Sequence, residues 1–296
     1  MTRTLRLSMA ALHRVHPALA AWWAERLFFT APRARSRRIE AFLEGGDAFT
    51  VRSGRRRIAA WRWGRGPTVL LVHGWGGLGG QLSEMVAPLV SAGFTVVAFD
   101  GPGHGRSGGG MTSMVDFAQA VDAITGVVGP LYGAVTHSLG GAAVAFALHR
   151  GLRLERAVFM CPPARPVDWA RIFADRLGVS DDVMQRMRKR AEKRLGVGWS
   201  DLDVAAFAGG LKTELLIVHD KDDAEVQWAD GELLARSWPG ALLVTTTGLG
   251  HRRILRDPGV VARAVGFLSK GRPETPTEAQ MLEAELFQPA RRFADV

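Results

Sequence analysis

Two hydrophobic rhythms alternate along the chain. From about residue 48, short apolar runs recur between stretches whose apolar residues fall three and four apart. Runs of the first kind suit buried strands, and stretches of the second kind suit amphipathic helices. Phe49–Val51 and Ile58–Trp63 read as a pair of early strands. Thr68–Gly74 (TVLLVHG) is an unbroken apolar run ending in glycine, which predicts a strand covered on both faces. A helix over about Gln81–Ala92 and a strand over Thr95–Asp100 come next. Helix Met114–Val128, strand Leu131–Thr136, helix Leu139–Arg150 and strand Arg156–Met160 continue the series. Over 163–210 the rhythm lapses: helical spacing persists without a strand. It resumes with strand Glu214–His219, helix Trp228–Trp238, strand Ala241–Thr246 and helix Pro258–Ser269. Such repetition predicts an α/β fold with a mostly parallel central sheet, flanked by helices and interrupted by a short helical insertion.

Four parts follow from this pattern: an N-terminal extension over 1–47, a core over 48–162 and 211–270, a cap-like insertion over 163–210, and a tail over 271–296. In the extension, Leu12, Val15, Leu19, Trp22, Trp23, Leu27 and Phe28 form an apolar stripe in one or two helices broken near Pro17. The first expectation is that it packs on the parent domain. The second is peripheral contact of residues 1–40 with a membrane surface. Arg33–Arg38 (RARSRR) reads as a solvated basic linker. Within the insertion, Ser180 can cap a helix reaching about Arg194. Val183, Met184, Met187 and Leu195 give that helix an apolar face, and the arginines and lysines opposite suit solvent. A cap this short predicts a fairly open site. In the tail, Thr275, Pro276 and Glu278 spell a helix start, and that acidic helix is expected to dock on the arginine-rich extension.

Composition narrows the classes. Apolar residues make up 47% of the chain, enough for a substantial core. Cys161 is the single cysteine and can form no internal disulfide, which with the features below predicts a cytoplasmic protein. His13, Arg14 and His16 interrupt the apolar run that a cleaved signal needs. No stretch approaches the roughly 20 apolar residues of a membrane span. Net charge is +9, but only five of the 38 basic residues are lysines, and the arginines are spread along the chain. With no helix-turn-helix, stacking motif or zinc-finger spacing, nucleic acid is excluded as a partner.

Chemistry-bearing residues fall at the carboxyl ends of the strands, where open α/β sheets form their sites. In AVTHSLGGAA, Ser138 stands at a sharp strand-to-helix turn with Gly140 and Gly141 behind it. A serine there is either a nucleophile on an elbow or a helix N-cap. Thr136 stands where the elbow motif has its first glycine and should crowd the turn. His251, in the glycine-rich loop after the last strand, is placed to act as a general base. A carboxylate to orient it is offered by HDKDDAEV, through Asp220, Asp222, Asp223 or Glu225. Their spacing does not match a calcium loop, so no metal is expected. The N–H of Leu139 and that of Trp75, in HGWGGLGG, are suited to hold an oxyanion. The glycine spacing there fits neither a dinucleotide fingerprint nor a P-loop, so no cofactor is expected.

HGWGG, DGPGHGRS, THSLGG, HDKDDAEV and GLGH, in that order, resemble the α/β-hydrolase superfamily over about residues 48–270. The order serine, acid, histidine is also the superfamily's. The resemblance implies Ser138 as nucleophile, His251 as base and Asp223 as acid, with Asp222 as the fallback. It implies Trp75 and Leu139 as the oxyanion hole, and a small-molecule carboxylic ester as substrate. A thioesterase or acyltransferase would use the same residues, and a non-catalytic binding protein of this fold is the reading from another class. Serine at the elbow argues against the superfamily's dehalogenases and epoxide hydrolases, which carry aspartate there. Two departures from the pattern are Thr136 in the elbow and Asp220 in place of the glycine after His219.

Overall fold

The computed structural model describes residues 3–271. In chain order the helices are α1 (Arg3–Val15), α2 (Pro17–Phe29), α3 (Arg37–Leu43), α4 (Val86–Ser91), α5 (Met114–Val128), α6 (Leu139–His149), α7 (Asp168–Leu177), α8 (Asp181–Leu195), α9 (Val204–Phe207), α10 (Trp228–Ser237), α11 (Gly250–Arg253) and α12 (Pro258–Ser269). The strands are β1 (Asp47–Ser53), β2 (Arg56–Trp63), β3 (Thr68–Val72), β4 (Thr95–Phe99), β5 (Leu131–His137), β6 (Arg156–Met160), β7 (Glu214–Asp220) and β8 (Leu242–Thr246). They form one sheet in the order β1-β2-β4-β3-β5-β6-β7-β8. β2 pairs antiparallel with β1 and β4, and every pair from β4 to β8 is parallel. The predicted α/β architecture is therefore the one observed.

The unbroken apolar runs follow from burial of both sheet faces. Leu70, Val72, Val97 and Phe99 enter one core with α5 and α6. Their neighbours Val69, Leu71, Val96 and Ala98 enter a second core with α4 and α12. Successive side chains alternate faces, so a strand clad on both sides has no position for a polar residue.

The helix expected over Gln81–Ala92 is split. A 3-10 turn spans Gly79–Met85, and α4 restarts at Val86. Pro88 explains the break. Its ring nitrogen has no hydrogen to give Glu84, so it is tolerated only in the first turn of a new helix. The basic linker is also shorter than expected. Arg37 and Arg38 open α3, capped by the Ser36 hydroxyl, which accepts from the Ile39 amide at 3.4 Å. The tail signal from Thr275 lies outside the described residues.

The extension packs on the cap more than on the sheet. Met9, Ala20, Ala21, Ala24 and Phe29 share a cluster with Val183, Met187 and Ala191 of α8. The basic face of α8 is accordingly not all solvated. Arg190 and Arg194 reach inward to the buried carboxylate of Glu25 on α2, at 2.9 and 3.0 Å. Two cations satisfy both oxygens of a group that could not otherwise be buried charged. Among the described residues, no helix is long and apolar enough to cross a membrane.

Candidate active site

The chain leaves β5 at His137, and Ser138 takes φ 51° and ψ −121°. A positive φ is costly for a residue with a Cβ. Ser138 occupies the cap position of α6, yet its side chain accepts no helix amide. Of the two readings of this serine, the capping one is therefore not what the geometry presents. The turn is tight because α6 lies against β3: a Cβ on Gly140 would sit 2.5 Å from the Val72 carbonyl oxygen. The crowding expected of Thr136 is absorbed one helical turn later. Thr136 is fully buried, and a Cβ on Gly141 would come within 3.1 Å of its hydroxyl. Glycine at 141 thus makes the room that glycine at 136 would have made.

His251 opens the first turn after β8. Its Nδ1 lies 2.7 Å from Asp223 Oδ2, and both residues are buried. Asp222, the alternative acid, turns away and accepts the Gly248 amide at 2.7 Å. Asp223 Oδ1 accepts the Glu225 and Val226 amides at 2.8 and 2.9 Å. Burial opposes its charge, but hydrogen bonds from His219, His251 and the Val226 amide outweigh that and hold the carboxyl far below the usual carboxylate range. An ionised Asp223 is fitted to keep the Nδ1 proton on His251, which leaves Nε2 free to accept.

Ser138 and His251 line one cavity of about 650 Å³, together with Trp75 and Leu139. No hydrogen bond joins the two side chains; such contacts often tighten only when substrate is present. Neither the Trp75 nor the Leu139 amide donates to an acceptor among the described residues. The loop carrying Trp75 is anchored by His104, whose Nε2 accepts the Gly76 amide at 3.0 Å. Over the cavity, the cap contributes Trp169, Phe173 and Leu195, and α2 contributes Leu27, Phe28 and Phe29. The site is thus more covered than the short cap alone suggested. Val183 and Met187, on the apolar face of α8, are fully buried in a core shared with the extension and do not line the cavity.

Three supporting residues are not apparent from the sequence. His137 donates from Nε2 to the His251 carbonyl at 2.9 Å, with the two rings 4.5 Å apart. His219 sits behind Asp223, its Nε2 3.5 Å from Oδ2 and 3.0 Å from the Val226 carbonyl. The mid-helix Gly231 is the legible trace of His219, since a Cβ there would strike the ring at 2.4 Å. Asp220, in sequence one of four candidate acids and a departure from the family pattern, does not meet His251 but accepts from Thr246 Oγ1 at 2.7 Å and from the Leu249 amide at 3.1 Å. It thereby ties the end of β8 to the loop that presents His251.

Cys161, His219 and Asp223 bring possible ligand atoms within 4.8 Å of one another. Their chemistry does not fit a metal. Asp223 Oδ1 is already taken by the Glu225 and Val226 amides, Oδ2 by His251, and His219 Nε2 by the Val226 carbonyl.

The buried histidines make stability depend on acid. Burial lowers His73 to about 3, with the His104 charge adding to it, and burial with the His251 charge lowers His137 to about 3. His104 is lowered by burial as well. Between the ordinary histidine range and pH 3 the unfolded chain therefore binds protons that the folded chain refuses. Stability rises with pH through that window and falls on acidification, by roughly 1.4 kcal/mol per pH unit for each histidine concerned. Thermal unfolding between pH 8 and pH 4 should show a plateau above pH 7 and a steep fall in Tm below pH 6. A flat Tm down to pH 5 would contradict this.

Comparison with known proteins is consistent with the architecture. The sequence model of a family described as "Alpha/beta hydrolase family" matches residues 69–264. No curated protein matches the chain. Among solved structures, Est1E of Butyrivibrio proteoclasticus, with ferulic acid bound, is 18% identical, with a TM-score of 0.62 over 75% of this chain and 100% of that one. A serine hydrolase from the hydrocarbon-degrading bacterium Cycloclasticus zankles is 16% identical, with a TM-score of 0.60 over 78% of this chain and 100% of that one. A bromoperoxidase from Bacillus anthracis is 18% identical, with a TM-score of 0.59 over 76% of this chain and 100% of that one. Their differing descriptions show why such likeness speaks for the fold and not for the reaction.

Proposed function

The chain belongs to the α/β-hydrolase family, and from that premise we propose that it is a serine hydrolase cleaving carboxylic esters through Ser138, His251 and Asp223. The observation that carries this reading is the 2.7 Å contact of His251 Nδ1 with Asp223, beside a positive-φ serine on the same cavity. Ser138 Oγ attacks the ester carbonyl carbon, and its proton passes to His251 Nε2. The Trp75 and Leu139 amides hold the oxyanion. Collapse of the tetrahedral intermediate breaks the carbon–oxygen bond to the alcohol, which leaves with the proton from His251. Water, deprotonated by His251, then releases the acid from Ser138. Asp223 stays ionised and stabilises the imidazolium in both halves. The single Cys161, free and buried, accords with a cytoplasmic setting.

Aromatic side chains from α2 and α7 line the cavity, so an apolar acyl or alkyl group is the fitting substrate. A p-nitrophenyl ester series from acetate upward tests the reading. Each methylene that becomes buried contributes about 0.8 kcal/mol, so kcat/KM should climb by up to about fourfold per carbon until the cavity is filled. Thioesters measured in parallel separate the thioesterase alternative. A folded protein that cleaves no ester or thioester, and whose Ser138 is not labelled by a fluorophosphonate, would instead be a binding protein on this fold.

A further inference from the structure

The outward faces of α1 and α2 carry an apolar stripe that nothing in the described chain covers. On α1, Leu7, Ala11 and Val15 are spaced four apart and exposed; Leu7 and Val15 show 62% and 84% of their surface. On α2, Leu19 and Trp22 are 44% and 41% exposed and lie one turn apart. The inward faces are already used, with Met9, Ala20, Ala21 and Ala24 packed against the cap. These exposed residues are therefore not a core face displayed by accident.

Charge says what would meet them. Residues 1–39 hold eight arginines and one acid, Glu25. Glu25 is buried and turned inward to Arg190 and Arg194, so it does not offset the outer charge. Arg6, Arg14 and Arg26 are exposed on the two helices, and the Arg26 guanidinium lies 5.3 Å from the Trp22 ring centroid. Exposed leucine, valine and tryptophan among arginines, with no outward acid, is the composition of a helix lying at an anionic lipid interface. A second copy is a poor occupant, because two such basic faces would repel.

We propose that α1 and α2 dock this protein peripherally on an anionic lipid surface through Leu7, Val15, Leu19 and Trp22. This inference stands apart from the hydrolase reading, since none of these four side chains lines the cavity. The position is nevertheless telling: further along, α2 supplies Leu27, Phe28 and Phe29 to the cavity wall. A docked α2 would place the roof of the site beside the bilayer.

The test uses the full-length protein and sedimentation with vesicles of phosphatidylcholine alone or mixed with phosphatidylglycerol. Truncating the extension would strip a cavity wall, so the variant is Val15→Asp with Trp22→Asp, both at exposed positions, with unchanged Tm as its folding control. Binding is expected to the mixed vesicles only, to weaken as salt is raised, and to drop at least about tenfold in the double variant. Ser138→Ala should bind like the parent, which separates surface docking from capture in the active site. Equal or absent sedimentation with both vesicles would overturn the proposal, as would undiminished binding by the double variant. So would a lipid-free dimer that the double variant dissolves, because the occupant would then be a second copy.

Discussion

Ser138→Ala is expected to lower kcat on the best ester of the series by about 10⁵-fold, with KM changed only a few-fold. The serine hydroxyl is the group asked to form the acyl-enzyme, and the residues around it cannot replace that bond. Stability should barely move. Ser138 Oγ has no hydrogen-bond partner among the described residues, and the side chain is only partly buried. Removing it leaves no buried donor or acceptor stranded. Ser138→Gly separates the elbow from its chemistry. Glycine adopts φ near 50° without strain, so it should be equally inactive yet at least as stable as the alanine variant, by up to about 1 kcal/mol. Burst kinetics and fluorophosphonate labelling complete the measurement. If the alanine variant kept more than about a tenth of parental activity, Ser138 would not be the nucleophile, since a triad serine cannot be removed so cheaply.

Legibility of the fold followed the strength of the physical constraint. β3, β5 and β6 are covered on both faces, so their apolar runs suit little but a buried strand, and α5, β6 and α12 begin and end at the residues their patterns predict. The pattern misleads where a single residue resets the local geometry, as Pro88 does for the helix expected over Gln81–Ala92. It also misleads where a tertiary partner gives charged residues a second use. Nothing in the local pattern of α8 distinguishes Arg190 and Arg194 from solvated arginines, because their partner Glu25 lies 165 and 169 residues away. The same limit applies to the extension. Of the stripe read there, Leu12, Trp23, Leu27 and Phe28 pack inward while Val15, Leu19 and Trp22 face out, a split set by a packing that no spacing encodes.

At the candidate site, chain order brought out Ser138 and His251, and family spacing favoured Asp223 over Asp222. Their distances come from the strand order, which sets the ends of β5, β7 and β8 along one rim. The supporting groups are harder to see. His137 and His219 act through a carbonyl and a carboxylate that are close only after folding. Asp220 reads in sequence as an intrusive charge where the family pattern has glycine. In the folded chain its burial is outweighed by hydrogen bonds from Thr246 and from the Gly250, Asp222 and Leu249 amides, which hold the carboxyl below its ordinary range. A residue that breaks a pattern has here become a tie for the histidine loop, which only the geometry can reveal.

Asp223→Asn is expected to cost about 10⁴-fold in kcat, while Asp222→Asn costs at most a few-fold. The asymmetry rests on what each carboxylate holds. Asp222 accepts one exposed amide, that of Gly248. Asp223 Oδ2 faces His251 Nδ1 at 2.7 Å, and its charge fixes the tautomer that leaves Nε2 able to accept a proton. An asparagine can present its NH₂ to Nδ1 instead. That geometry stabilises the tautomer with the proton on Nε2, and the base is then blocked although every atom is in place. Stability gives an independent readout. The Asp223 carboxyl sits well below its unfolded value, so its charge stabilises the fold above the ordinary carboxylate range and loses that effect progressively as pH falls below that range. The asparagine side chain would still accept the Glu225 and Val226 amides but would give up the charged contacts to His219 and His251. The variant should therefore be less stable than the parent at pH 7, by about 1–3 kcal/mol, with the gap narrowing below pH 4. Equal catalytic losses at 222 and 223 would transfer the orienting role to the loop as a whole, because only the loop's shape depends on both acids.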